Sequence, residues 1–359
     1  MKYLSLGQDK ATYKIAILVT TIQKDLALKY YVEPYGLNPD DIVLIQVEQR
    51  GKKTAMSYMR EWIENELQEV LNDIQCEYLL IANSGYFQAF TKQTNSERTI
   101  GYKETSSYGS WNVFYVPDYR AVYYDPELVK NKINQSIKAV INDINGQYQT
   151  PGIDIIKFKE YPNTIDDIAS WLQKLLDMEC DLTCDIETFS LKHYSAGIGT
   201  ISFAWNKHEG ITIPVDILDD PEFSSIIKQM LRIFFENFKH KMIYHNATFD
   251  VMVLIYELFM ESLIDTEGLL TGMDVMLRDI HCTKLISYLA INTAAGNNLS
   301  LKDQAQEYAG NYAVDEIKDI KLIPYDELLQ YNLIDALSTW YTFDKNYPIL
   351  IQDNQLDFY

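Results

Sequence analysis

Leu182-Thr183-Cys184-Asp185-Ile186-Glu187-Thr188 decides the fold. The run is short, with an apolar frame of Leu182, Ile186 and their neighbours, and it reads as a β-strand over Leu182–Glu187. Strand alternation places Asp185 and Glu187 on the same face. Two ionised carboxylates side by side are costly unless cations neutralise them. Mg²⁺ is the natural cation for oxygen ligands. The plainer alternative is that both acids are solvated at a sheet edge. Two further strands follow, Ile198 to Trp205 and Ile211 to Val215, around the turn Asn206 to Gly210. Consecutive strands with so short a turn make an antiparallel hairpin. A helix over Pro221 to Phe238, a strand over Lys241 to His245 and a helix from Thr248 come next. The remainder is helical over His281 to Ile291, Ser300 to Tyr308 and Tyr325 to Tyr347, with Ser300 and Asp303 suited to a first turn. The fold class is therefore α/β, with a mixed sheet.

Two more segments carry polar groups in chemically useful places. In His245-Asn246-Ala247-Thr248-Phe249-Asp250 an apolar strand runs into a helix, and Asp250 falls in its first turn. The helix dipole favours a carboxylate there on its own account. In Tyr331-Asn332-Leu333-Ile334-Asp335 the i, i+4 spacing puts the phenol and the carboxylate on one helix face. Each pattern alone occurs often by chance. The acids are 63 residues apart from Glu187 to Asp250 and 85 from Asp250 to Asp335. That is enough chain for a strand, a strand–helix junction and a late helix to converge on one cleft.

In this order the segments resemble the D-x-E, N-x-x-F-D and Y-x-x-x-D motifs of the DEDD-type 3′–5′ exonucleases, tyrosine subclass. Thr188 and Leu191 match the extended D-x-E-T-x-x-L pattern of the family A DNA polymerases, and Leu299 to Ala305 resembles the helix start before the third motif. The likeness covers about residues 160 to 346 and is greatest to bacteriophage polymerases. Cys282-Thr283 departs from the family's usual Asp-Thr.

The resemblance implies a ribonuclease H-like domain over 151–359 and two-metal phosphodiester hydrolysis with two divalent cations, Mg²⁺ or Mn²⁺. By that likeness Asp185 bridges both cations, Glu187 and Asp335 complete the site of the attacking water, and Asp250 acts on the second cation through waters. Tyr331 orients the water; a phenol with a pKa near about 10 is a poor base at neutral pH. Thr188, Asn246, Leu191 and Phe189 are the substrate contacts it implies, the last two against terminal bases, and Phe249 packs inside. Lys192 and His193 are candidate phosphate contacts or solvated surface. The implied partners are a single-stranded DNA 3′ end and a polymerase module, and no membrane. Two alternatives stand beside this: a ribonuclease D-like enzyme trimming RNA, and a non-enzymatic module that docks nucleic acid or a polymerase.

Residues 1–150 alternate strands (Ile15–Val19, Ile42–Val47, Tyr78–Ala82, Trp111–Val116) with helices (about Met56–Leu71 and Pro126–Ile144), the pattern of a separate parallel-sheet α/β domain. A polar linker over Asn145–Gly152 follows. Tyr78 to Phe87 and Val116 to Arg120 resemble the uracil-DNA-glycosylase-like domain of some phage polymerases. Catalysis there is not expected, because all five histidines are numbered 193 or above. A structural or DNA-guiding role fits better.

The formal net charge of −20 excludes a basic nucleic-acid coat protein. Residues 1–150 carry −2 and the rest −18, so the halves do different work. Four cysteines without C-x-x-C spacing make no disulfide framework. No transmembrane run or signal peptide is legible, and a cytoplasmic chain is expected, in the host cytoplasm if viral. The ending at Tyr359 reads as that of a fragment of a longer protein.

Overall fold

The structure is a computed structural model and describes residues 1–50, 54–291, 299–312 and 319–359. It divides into two units, Met1–Pro151 and Gly152–Tyr359.

The first unit is built on β1 (Lys2–Ser5), β2 (Ile15–Val19), β3 (Ile42–Gln46), β4 (Tyr78–Ile81), β5 (Glu104–Thr105) and β6 (Asn112–Tyr115), in the order β1-β3-β2-β4-β6-β5. Its helices are α1 (Lys24–Ala27), α2 (Met56–Trp62), α3 (Gln68–Asp73), α4 (Ser84–Thr91) and α5 (Pro126–Ile144). All five residues of β2 are buried, Ala16 and Leu18 in one apolar cluster and Ile15, Ile17 and Val19 in another. Such a run is what a strand covered on both faces requires. The four inner strands are parallel. The expected parallel sheet is found in these four strands, and the edge strands β1 and β5 add to it antiparallel. Those edge strands are four and two residues long and largely exposed, so they lack the apolar run that marks the inner four.

The second unit contains β7 (Phe158–Glu160), β8 (Leu182–Glu187), β9 (Thr200–Asn206), β10 (Glu209–Pro214), β11 (Met242–Tyr244) and β12 (Ile280–Cys282). Their order is β12-β11-β8-β9-β10-β7. Strands β8, β9 and β10 are antiparallel, while β11 and β12 run parallel to β8. Around them lie α6 (Ile165–Asp177), α7 (Pro221–Asn237), α8 (Ala247–Phe259), α9 (Thr266–Met276), α10 (Thr283–Ala290), α11 (Leu301–Ala309) and α12 (Tyr325–Gln352).

The two faces of this sheet differ in chemistry. Leu182, Cys184, Ile186, Ile201, Phe203, Ile211 and Ile213 share a core with Ile168 and Leu172 of α6, Leu231 and Phe234 of α7, and Val251 and Leu254 of α8. The opposite face carries Thr183, Asp185 and Glu187, then Thr200, Ser202 and Ala204, then Gly210 and Thr212. Small and polar, it seats α12. Thr183 Oγ1 donates to the Ala336 carbonyl (2.9 Å), Thr212 Oγ1 to that of Leu329 (3.0 Å), and Trp340 Nε1 to that of Ala204 (2.6 Å). A Cβ on Gly210 would lie 2.8 Å from Leu333 Cδ1 and 2.6 Å from the Phe203 carbonyl oxygen, so the helix needs glycine there. Antiparallel strands flanked by parallel ones, with helices on both faces, make this the ribonuclease H-like arrangement.

Two expected boundaries move. Ile280–Cys282 is a strand rather than part of a helix, because it pairs parallel with β11. Helix α12 runs five residues beyond Tyr347 through Pro348, held by fully buried Leu350. Among the described residues no helix is long and apolar enough to cross a membrane.

Candidate active site

Strand alternation works at the end of β8 as the sequence requires. Ile186 turns into the apolar core, while Asp185 and Glu187 project toward α12. On α12, Asp335 faces them. One carboxylate oxygen each from Asp185, Glu187 and Asp335 lies within 4.8 Å of the others. Asp335 is buried and the other two are partly buried. Asp250 is not within that tight set. It sits in the first turn of α8 and is 6% exposed, and the backbone amide of Ile186, between the two acids of β8, works to lower its pKa.

The electrostatics record the crowding. Burial, then the charges of Asp335, Asp250 and Glu187, push the Asp185 carboxyl well above the usual carboxylate range, against a hydrogen bond from Asn332. Burial, then Asp335, pushes Glu187 up to about 8, with Lys302 pulling the other way. Burial pushes Asp250 up to about 8 against its own and the Ile186 backbone amides. Burial also raises Asp335, while Lys302, Tyr312 and Tyr331 work to lower it. Carboxylates packed this closely resist ionisation without a cation. Their hard oxygen donors, buried or partly buried and, among the described residues, none of them paired with an arginine, are the set that Mg²⁺ or Mn²⁺ takes.

Tyr331 occupies the same face as Asp335, one turn earlier, and its hydroxyl works to lower the Asp335 pKa. Its oxygen accepts from Lys302 Nζ, which also lies 4.8 Å from the ring centroid. Burial and the nearby carboxylates raise the phenol well above its ordinary pKa, so it stays protonated. Tyr312 donates to Asp335 Oδ1. Asn332, fully buried, donates from Nδ2 to Asp185 Oδ2 (2.7 Å) and accepts from Thr200 Oγ1 at Oδ1 (2.9 Å).

The sequence-based substrate contacts are scattered around this centre. Leu191 is 89% exposed. Thr188 spends its hydroxyl on the Ser190 carbonyl (3.2 Å). Phe189 is partly buried, with Lys321 Nζ 5.1 Å from its ring centroid. Asn246 is exposed, takes a left-handed backbone (φ 67°), and accepts from Lys284 Nζ (3.3 Å). Phe249 packs against the core. Lys192 is exposed, and His193 is partly buried beside Tyr194 and Tyr256. Thr283, after the departing Cys282, is fully buried and bonds to His245 Nδ1 (2.8 Å). Lys302, Tyr312 and Asn332 were missed as site residues. Of these Asn332 lies within the third motif and Lys302 within the quoted Leu299–Ala305 stretch, while Tyr312 had no local signal.

A ribonuclease H-like sheet whose central strand and covering helix gather buried acids is the frame of a metal-dependent nuclease. The 3′–5′ exonuclease family model of the DNA polymerase A type matches residues 160–349, more than half of the chain, and the chain belongs to that family. No curated protein sequence matches it. Among solved structures it is similar to Brucella melitensis NrnC with bound Mg²⁺ (14% identity, 56% of this chain and 85% of that one, TM-score 0.37). It is also similar to the catalytic core of RRP6 from Trypanosoma brucei (13% identity, 58% of this chain, TM-score 0.38), of which it spans about half, 51%. A nuclease solved in its apo form is a further likeness (17% identity, 56% and 85% covered, TM-score 0.36).

Proposed function

We propose that residues 152–359 remove nucleotides from the 3′ ends of single-stranded DNA, as the proofreading activity of a DNA polymerase module covalently continuous with the chain or associated with it. The observation that carries the reading is the convergence of Asp185, Glu187 and Asp335 within 4.8 Å beside Tyr331. Thr188 and Leu191 of the extended first motif, and the polymerase-type family model, favour DNA.

Asp185, Glu187 and Asp335 are the residues to hold divalent cations, Mg²⁺ or Mn²⁺, with Asp250 beside them. Such cations supply an acidified water and stabilise attacking and leaving oxygens in an in-line displacement. Tyr331, kept protonated, donates a hydrogen bond that orients the water's oxygen; it takes no proton. Lys302 holds the Tyr331 oxygen and brings positive charge to the side where the phosphate arrives. Leu191, apolar and in solvent, and Phe189 contact terminal bases without reading sequence, as removal of any mispaired nucleotide demands. Asn246, bonded to Lys284 Nζ, serves to hydrogen-bond near the scissile end. Residues 1–150 serve a structural or DNA-guiding role without chemistry of their own.

The test is release of label from matched DNA and RNA single strands, 3′- or 5′-labelled, with Mg²⁺ or Mn²⁺. The expected result is mononucleotides from the 3′ end of DNA, abolished by Asp185→Ala with Glu187→Ala. Preferential trimming of RNA makes the enzyme ribonuclease D-like instead. No release from either strand refutes the nuclease reading.

A further inference from the structure

We propose that Asn332 is a positioning residue, which with Thr200 fixes the orientation of Asp185 for metal binding. The inference rests on the metal-dependent reading above. Asn332 has no exposed surface, and a buried amide left unsatisfied costs on the order of 1–3 kcal/mol. Its two ends are committed to different strands. Nδ2 donates to Asp185 Oδ2 on β8 at 2.7 Å, and Oδ1 accepts from Thr200 Oγ1 on β9 at 2.9 Å. Thr200 stands opposite Glu187 in the β8–β9 ladder, so one amide spans both strands that frame the acids.

The arrangement has a direction. Ionised, as a metal ligand must be, the Asp185 carboxylate can only accept, so the amide nitrogen must face it. A flipped amide would set Oδ1 against that carboxylate. The Thr200 hydroxyl, donating to Oδ1, satisfies the other end of the amide in that orientation. Asn332 also lies three residues before Asp335, on the same side of α12. Its bond to β8 therefore sets how closely Asp335 approaches Asp185 and Glu187. Outer groups of this kind orient ligands, and losing one weakens metal affinity by about 10–100-fold.

The experiment is Mn²⁺ titration of the full chain by calorimetry, beside a urea unfolding curve and nuclease rates against Mn²⁺ concentration. Asn332→Leu keeps the volume and loses the amide. It is expected to bind Mn²⁺ about 10–100-fold more weakly, with most of the maximal rate regained at saturating metal. Thr200→Val, a gentler change, moves affinity the same way by less, and Thr200→Ser restores it. A Thr200→Val protein that unfolds as wild type yet binds Mn²⁺ less tightly supports the positioning role even if Asn332→Leu misfolds. Folded variants that bind Mn²⁺ like wild type overturn this inference alone. A wild type that binds no Mn²⁺ overturns the metal-dependent reading and this inference with it.

Discussion

Glu187 and Asp250 hold their protons up to about 8 in the folded chain, chiefly because they are buried. Unfolded, such groups release them near about 4. Between those values the native state binds more protons than the unfolded one, so stability is full below about pH 4 and falls as pH rises toward about 8. Metal-free protein is therefore expected to lose at least about 5 °C in Tm between pH 5.5 and 8.5. Glu187→Gln should flatten that slope and Mg²⁺ should cancel it; thermal scans in chelator and in Mg²⁺ check both. Lys302→Met removes the ammonium on the Tyr331 oxygen. It is expected to lower kcat by about 100-fold with KM for DNA little changed, measured in steady-state release assays. At this scale the three acids the structure gathers, Asp185, Glu187 and Asp335, were legible with Tyr331 because each sits in a local pattern with its own spacing. Lys302 and Tyr312 were not, because only folding brings them to Tyr331 and Asp335, 29 and 23 residues away. Thr200 is 132 residues from Asn332, beyond any local reading.

Among the elements, α12 matters most, since it carries Tyr331, Asn332 and Asp335 onto a sheet face made small and polar to receive it. Gly210→Val pushes into Leu333 of that helix. The substitution should cost about 1–3 kcal/mol in urea unfolding. It should also reduce nuclease rate by more than the lost folded fraction, because the helix shifts relative to β8. Strands β2, β3, β4 and β8 were readable from apolar runs, and α5 from Pro126 at its first turn with Asp125 accepting the Leu128 amide (3.2 Å). Strand β12 was taken for helix because three residues carry no period of their own; its partner β11 makes it a strand. Short β7 and the helices α6 and α9 went unassigned, although Thr164 caps α6 and Asp265 caps α9.

At the scale of the whole molecule, each hydrophobic cluster described is drawn from one unit alone. Residues 152–359 expressed by themselves should unfold in one cooperative transition and keep Mn²⁺ binding, as calorimetry can show. If the proposed function holds, the −18 carried by residues 151–359 makes strand binding there depend on added divalent cations. The most direct measurement is anomalous scattering from crystals of the protein soaked in Mn²⁺. Manganese peaks bonded to oxygens of Asp185, Glu187 and Asp335 are the predicted result. Ordered carboxylates with no peak among them, in crystals that take up manganese elsewhere, would contradict the assignment of this cluster as the catalytic centre.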